Sequence, residues 1–161
     1  MLINNWYVAA WSHEVTTRAP FGIRMLGCDF VLFRGADGAV ACLADVCCHR
    51  GGALSGGKVA SARVVCPYHG WQFDRGGNCT LIPYLADGAT IPKRARVDSY
   101  PTQEKYGWVW VFLGDLPEGD RPSVPDLFPE YDDAGNWHRV PYGFEAKANW
   151  MRFEENTLDT A

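Results

Sequence analysis

Apolar residues in this chain come in short runs separated by glycine, not at helical spacing, and this pattern predicts a β-rich protein. Phe30-Val31-Leu32-Phe33-Arg34 and Val40-Ala41-Cys42-Leu43-Ala44 flank Gly35-Ala36-Asp37-Gly38, which predicts a hairpin. Arg63-Val64-Val65 predicts another strand, and Trp71-Gln72-Phe73-Asp74 followed by Arg75-Gly76-Gly77-Asn78 a further hairpin. The strongest strand prediction is Gly107-Trp108-Val109-Trp110-Val111-Phe112-Leu113, aromatic or β-branched along most of its length. After Gly114 the composition shifts, and Pro117, Pro122, Pro125 and Pro129 among acidic residues predict an irregular connector. From Asn149 the alternation is lost, and Trp150, Phe153 and Leu158, three and five apart, predict the start of a helix. The expected organisation is a β domain over 5–114, a connector over 115–148 and the opening of a second domain over 149–161. There is no internal repeat.

Two of the predicted strands run directly into segments that carry chemistry. Cys47-Cys48-His49-Arg50-Gly51 and Cys66-Pro67-Tyr68-His69-Gly70-Trp71 form a C-x-H … C-x-x-H pair, which supplies two thiolates and two imidazoles. That set suits a [2Fe-2S] cluster of the Rieske type, because two bridging sulfides leave each iron needing one pair of protein ligands. In an extended loop, residues two apart share a side, so Cys47 and His49 can face one pocket while Cys48 faces away. Gly51-Gly52 and Gly56-Gly57 stand where backbone must pass close to a cluster. The competing reading is a structural zinc site. Zinc fingers, however, usually pair Cys with Cys and His with His, whereas each segment here mixes one of each.

Composition narrows the remaining choices. The chain has 161 residues, 47% of them hydrophobic and seven of them Trp, which is enough for an independent core. A net charge of −4 argues against a nucleic-acid partner. Lys93-Arg94-Ala95-Arg96 is the one dense basic run, either a solvated loop face or a docking point for an acidic redox partner. No apolar stretch approaches the ~20 residues of a membrane span and the N-terminus lacks a leader pattern, so the expectation is a soluble, cytoplasmic protein. Cys28, Cys42, Cys48 and Cys79 show no paired spacing and are expected to be free, mostly buried thiols in a reducing compartment.

The two ligand segments resemble the N-terminal domain of Rieske non-haem iron oxygenases, and the opening Asn5-Trp6-Tyr7-Val8-Ala9 is similar to the O-demethylase branch of that family. The family usually carries proline where Cys48 stands. The disulfide-forming cysteines of respiratory Rieske proteins are replaced by Gly52 and Tyr68. The resemblance implies a mainly antiparallel β Rieske domain with cluster-binding hairpin loops, followed by the start of an α+β catalytic domain. It implies that Cys47 and Cys66 hold the inner iron, and His49 and His69 the outer one. Replacing two thiolates by neutral imidazoles makes the oxidised cluster neutral, which raises its reduction potential. Tyr68 and Trp71 are candidates for shielding it, and Arg50 for pairing with a nearby carboxylate or the loop backbone.

The segment Glu155-Asn156-Thr157-Leu158-Asp159 looks like the family's N-x-x-D-x-x-H motif, which places Asn156 and Asp159 near a mononuclear Fe(II) in the intact enzyme. Asp159 would be the carboxylate bridge to a cluster histidine of a neighbouring subunit. The ligands of that iron cannot be assigned in this chain. The implied partners are a reductase or ferredoxin donor, an organic substrate, most simply an aromatic one, and two further copies in a homotrimer. The alternative function is a free-standing Rieske ferredoxin, for which the residues after Leu113 would be surplus.

Overall fold

The computed structural model describes residues 3–159 and contains eleven strands and one α-helix. The strands are β1 Asn5–Trp11, β2 Phe21–Met25, β3 Cys28–Arg34, β4 Val40–Ala44, β5 Lys58–Ala60, β6 Arg63–Val65, β7 Gln72–Phe73, β8 Cys79–Leu81, β9 Ser99–Tyr100, β10 Thr102–Lys105 and β11 Trp108–Leu113, and the helix is α1 Trp150–Leu158. They form three antiparallel sheets in the orders β1-β11-β10, β2-β3-β4-β9 and β5-β6-β7-β8. All five predicted strand segments are strands. β1, β2, β5, β9 and β10 go beyond the sequence prediction.

The middle sheet explains why its strands read as unbroken apolar runs. Along β3, Val31 and Phe33 enter one core while Phe30 and Leu32 enter another, and β4 divides Ala41 and Leu43 from Val40 and Cys42 in the same way. A sheet buried on both faces has no polar alternation to display. The first core also contains Val64, Phe73, Cys47 and Cys66, so the bases of both ligand loops are packed into it. The second joins the middle sheet to Ala10, Val109 and Val111 of the β1–β11 pair. The far face of β11 is covered as well. Phe112 packs edge-on against Trp6 at 5.3 Å, Arg121 lies over its ring at 5.6 Å, and the Trp6 indole donates to the Pro122 carbonyl at 2.7 Å. Residues 115–127 therefore pack within the first compact unit, which ends at Leu127.

Arg34, at the end of β3, uses all five guanidinium hydrogens. They go to the carbonyls of Val15 (2.7 Å), Gly38 (2.6 Å) and Ser12 (2.9 Å), and in a fork to Glu104 Oε1 and Oε2 at 2.8 and 2.9 Å. This is the bidentate geometry that favours arginine over lysine. It ties the segment after β1, the β3–β4 hairpin and edge strand β10 to one point. β10 itself, Thr-Gln-Glu-Lys, carries no hydrophobic signal and is a strand because β11 pairs with it.

The second unit comprises residues from Phe128 onward, with α1 as its helix. Asn149 caps α1 by accepting the Met151 amide at 2.9 Å, as a side-chain oxygen at this position is suited to do. Trp150, Phe153 and Leu158 are exposed within it.

The Arg34 fork holds the Glu104 carboxyl below its ordinary 4.5, with the hydrogen bonds outweighing the opposing effect of burial. Its contribution is present above that ordinary value and is lost as pH falls through the depressed folded value. Glu104→Gln should therefore cost about 1 kcal/mol at pH 7, since the pair is partly solvated, and the gap should close toward pH 3. Urea melts of both proteins at the two pH values check this.

Candidate metal centre

The two ligand loops close in the same way. In the first, the Cys47 amide donates to the Gly52 carbonyl at 2.9 Å and the Gly51 amide donates back to the Cys47 carbonyl at 2.8 Å. In the second, the Cys66 amide donates to the Trp71 carbonyl at 2.8 Å and the Gly70 amide returns to the Cys66 carbonyl at 3.0 Å. Each turn ends on a glycine with φ of +71°, a left-handed conformation that a side chain would strain. The backbone frames match although the histidine is two residues past the cysteine in one loop and three past in the other. The first loop emerges from β4 and the second from β6, so two different sheets hold them. Asp45 secures the first loop by accepting the Ser55 amide at 2.7 Å and its hydroxyl at 2.5 Å.

These frames bring the four predicted ligands together as a thiol pair and an imidazole pair. Cys47 and Cys66 are both 3% exposed, and Cys66 is close enough to hydrogen-bond the Cys47 thiol. Burial pushes the Cys47 thiol up to about 11. The His49 and His69 rings lie 4.7 Å apart at the half-buried rim. Desolvation lowers the His49 pKa, reinforced by the neighbouring His69 and the Arg50 charge, which favours the neutral imidazole that binds metal. Among the described residues, no three His, Cys, Asp or Glu side chains are placed to share a single ion.

The residues present fit a [2Fe-2S] group. His49 Nδ1 is buried without a hydrogen-bond partner, a donor atom left for something other than protein. A Cβ at Gly52 would stand 3.5 Å from both Cys66 Sγ and Tyr68 Cβ, so glycine keeps the wall beside that sulfur thin. Trp71 stacks on the His49 ring at 4.5 Å and 6°, fixing its plane. Tyr68 stacks on His69 at 3.8 Å yet is 64% exposed, so it covers the rim without closing it.

Cys48 is exposed between buried Cys47 and half-buried His49, the outward orientation expected of it. The expectation that the other thiols are mostly buried needs correcting. All four are free, and Cys42 and Cys79 are buried, but Cys28, at the exposed start of β3, and Cys48, in the first ligand loop, are exposed. Arg50 has no ion-pair partner among the described residues. Asn156 lies within α1 and Asp159 at its C-cap, both exposed and both in the second unit. The sequence reading did not anticipate that residues 92–97 flank the first loop. Ala95 and Val97 share the core of Cys47 and Cys66, and the Arg96 backbone amide sits beside the Cys48 sulfur. The apolar Ala95 and Val97 alternating with Arg94 and Arg96 were the available signal.

Comparison with known proteins agrees with this geometry. The chain is 36% identical over 157 residues to the oxygenase component of dicamba O-demethylase from Stenotrophomonas maltophilia, covering 97% of this chain and 44% of that protein. It is 35% identical over 157 residues to the 4beta-methylsterol monooxygenase of Methylococcus capsulatus, covering 97% of this chain and 42% of the relative. The crystal structure of dicamba monooxygenase bound to dicamba superposes with a TM-score of 0.68 at 38% identity, over 77% of this chain and 36% of that one. The chain thus spans less than half the length of these relatives. The model of the Rieske [2Fe-2S] domain matches residues 5–101, a span that holds both ligand loops and the sheets supporting them, and the chain belongs to that family.

Proposed function

We propose that this chain is the electron-transfer domain of a terminal oxygenase that hydroxylates or demethylates an aromatic or related organic substrate. The observation that carries the reading is the thiol pair and imidazole pair held on two matching loops, together with relatives named as oxygenase components. Cys47 and Cys66 would bind the inner iron, and His49 and His69 the outer. Bound there, the group supplies a one-electron store whose potential lies above that of all-cysteine clusters. The chain's own part is to hold two thiolates in a dry core and keep two imidazoles at its half-buried rim. Trp71 and Tyr68 fix the imidazole planes. The Cys47 thiol, raised by burial, must lose its proton to bind, so loading the site releases protons.

The domain organisation we favour is a Rieske domain over 5–114, a connector over 115–148 and the start of a catalytic domain from 149. In the intact enzyme, Asn156 and Asp159 would stand near a mononuclear Fe(II), with Asp159 bridging to a cluster histidine of a neighbouring subunit in a trimer. One of the similar solved structures is dicamba monooxygenase with non-heme iron, which supports that second metal. Electrons would come from a reductase or ferredoxin. The free thiols suit a reducing cytoplasm, and no helix among the described residues is long and apolar enough to cross a membrane.

Purified protein should be red-brown, carry about two irons and two acid-labile sulfides per chain and, once reduced, give the low average g-value signal of a mixed Cys/His cluster. A colourless preparation with stoichiometric zinc would refute the assignment. His49→Cys or His69→Cys, in variants that still load, should lower the reduction potential because each adds a negative charge at the outer iron. A potential that stays level or rises removes that residue from the ligand set.

Cys48→Ser should keep its iron and sulfide content, while Cys47→Ser loses it. The comparison is read by metal analysis on folded protein. In the longer enzyme, Asp159→Asn should leave both metal sites occupied and slow single-turnover oxidation by at least about tenfold, the loss of one hydrogen-bonded charge in the path.

A further inference from the structure

Past β11 the chain runs over the outer face of the β1–β11–β10 sheet as a strap, residues 114–127, that pairs with no strand. Within the strap only Val124 is buried, so little apolar surface holds it down. Side chains on or beside the sheet grip it at its start, its middle and its end. The Asn4 side-chain oxygen accepts the Asp115 and Leu116 amides at 3.0 and 3.2 Å, and the Trp6 indole donates to the Pro122 carbonyl. At the far end the Lys105 ammonium donates to the Val124 and Pro125 carbonyls at 3.4 and 3.3 Å. It also stands 3.5 Å from Asp126 Oδ1, to which the Tyr106 hydroxyl donates as well. A segment with few buried apolar groups and partly exposed hydrogen bonds opens more readily than the sheet beneath it.

Tyr106 occupies the first central position of the two-residue turn between β10 and β11, with φ of +60° there and +76° at Gly107. Such a hairpin needs two left-handed residues, and asparagine, aspartate or glycine adopts that conformation with least strain. A tyrosine strains the backbone here, and the outlier points to what its side chain does. The residue is buried, and its hydroxyl is delivered to Asp126, just before the first unit ends at Leu127. The Tyr106 hydroxyl and the Lys105 charge hold the Asp126 carboxyl below its ordinary 3.8, so it is ionised at neutral pH and accepts a charge-assisted bond.

We propose that Lys105, Tyr106 and Asp126 form a latch that sets where the chain leaves the first unit. Latched, the strap lies on the sheet and the chain departs just past Asp126, at the β10–β11 turn. Released, the strap becomes a tether hanging from the end of β11, and residues 115–127, fully extended, span at most about 45 Å. The first unit therefore offers a short or a long attachment to the residues from Phe128 onward, according to the state of one hydrogen-bonded cluster. None of the latch residues belongs to the metal centre.

The test is limited proteolysis of the full chain with a glutamate-specific protease, read by mass spectrometry at two bonds. Cleavage of Glu118–Gly119 reports opening of the strap. Cleavage of Glu14–Val15, where Val15 is in the core, reports unfolding of the domain. Tyr106→Phe, which removes only the hydroxyl, and Asp126→Ala should each raise the first rate about fivefold or more and leave the second within about twofold. Asp132→Ala, an equal loss of charge outside the latch, should leave both rates as they are. Equal Glu118–Gly119 rates in the wild type and the latch variants would overturn the proposal. So would a rise of both rates in step, since the strap would then belong to the cooperative unit of the sheet and Tyr106 would be an ordinary structural residue. Solvent exchange of the Trp6 indole proton, whose acceptor is the Pro122 carbonyl, should quicken together with strap cleavage. Faster cleavage with unchanged indole exchange would mean fraying at Glu118 alone, and would also overturn the latch.

Discussion

The constraint on which the site depends is the pair of reciprocal hydrogen bonds around each ligand cysteine. With its amide donating forward and its carbonyl accepting back from a left-handed glycine, each cysteine is held with its side chain directed into the core while the following residues arch over it. Every other feature of the centre is built on those two frames. The imidazoles reach the rim because the arch carries them outward. Trp71 can stack on His49 because its own carbonyl closes the opposite loop. A left-handed turn costs an ordinary residue roughly 1 kcal/mol or more, which is why both frames end on glycine.

Packing and electrostatics act in opposite senses at this centre. The apolar surroundings that fix Cys47 also disfavour its thiolate, as they do for Cys42, whose thiol burial pushes up to about 12. For Cys42 the result is an inert core residue. For Cys47 the same environment makes binding a metal, with its own positive charge, the route by which it loses its proton.

Much of this was legible in the sequence, and the omissions have physical causes. The C-x-H and C-x-x-H segments, the two hairpins and the strand at Trp108–Leu113 rest on local chemistry, and the structure has all of these elements. Edge strand β10 was illegible because it is polar and exists through pairing with β11. The role of Arg34 was invisible because its five acceptors come from three separate segments. The four remaining thiols were expected to be mostly buried on residue type, and type does not report that Cys28 opens β3 at its exposed end. The equivalence of the two loop frames was hidden by the unequal Cys–His spacing, since only the backbone hydrogen bonds reveal it.

The first ligand loop leaves β4 and the second leaves β6, strands of two different sheets. Under the proposed ligation, the metal centre is therefore a covalent staple between sheets, closing a loop from residue 47 to residue 66. Separating the sheets would require breaking iron–sulfur or iron–nitrogen bonds. Once lost, iron and sulfide do not return at the rate the chain refolds. Resistance of the loaded domain to unfolding would then be governed by the lifetime of its cluster, a kinetic property, and not by the equilibrium between folded and unfolded protein.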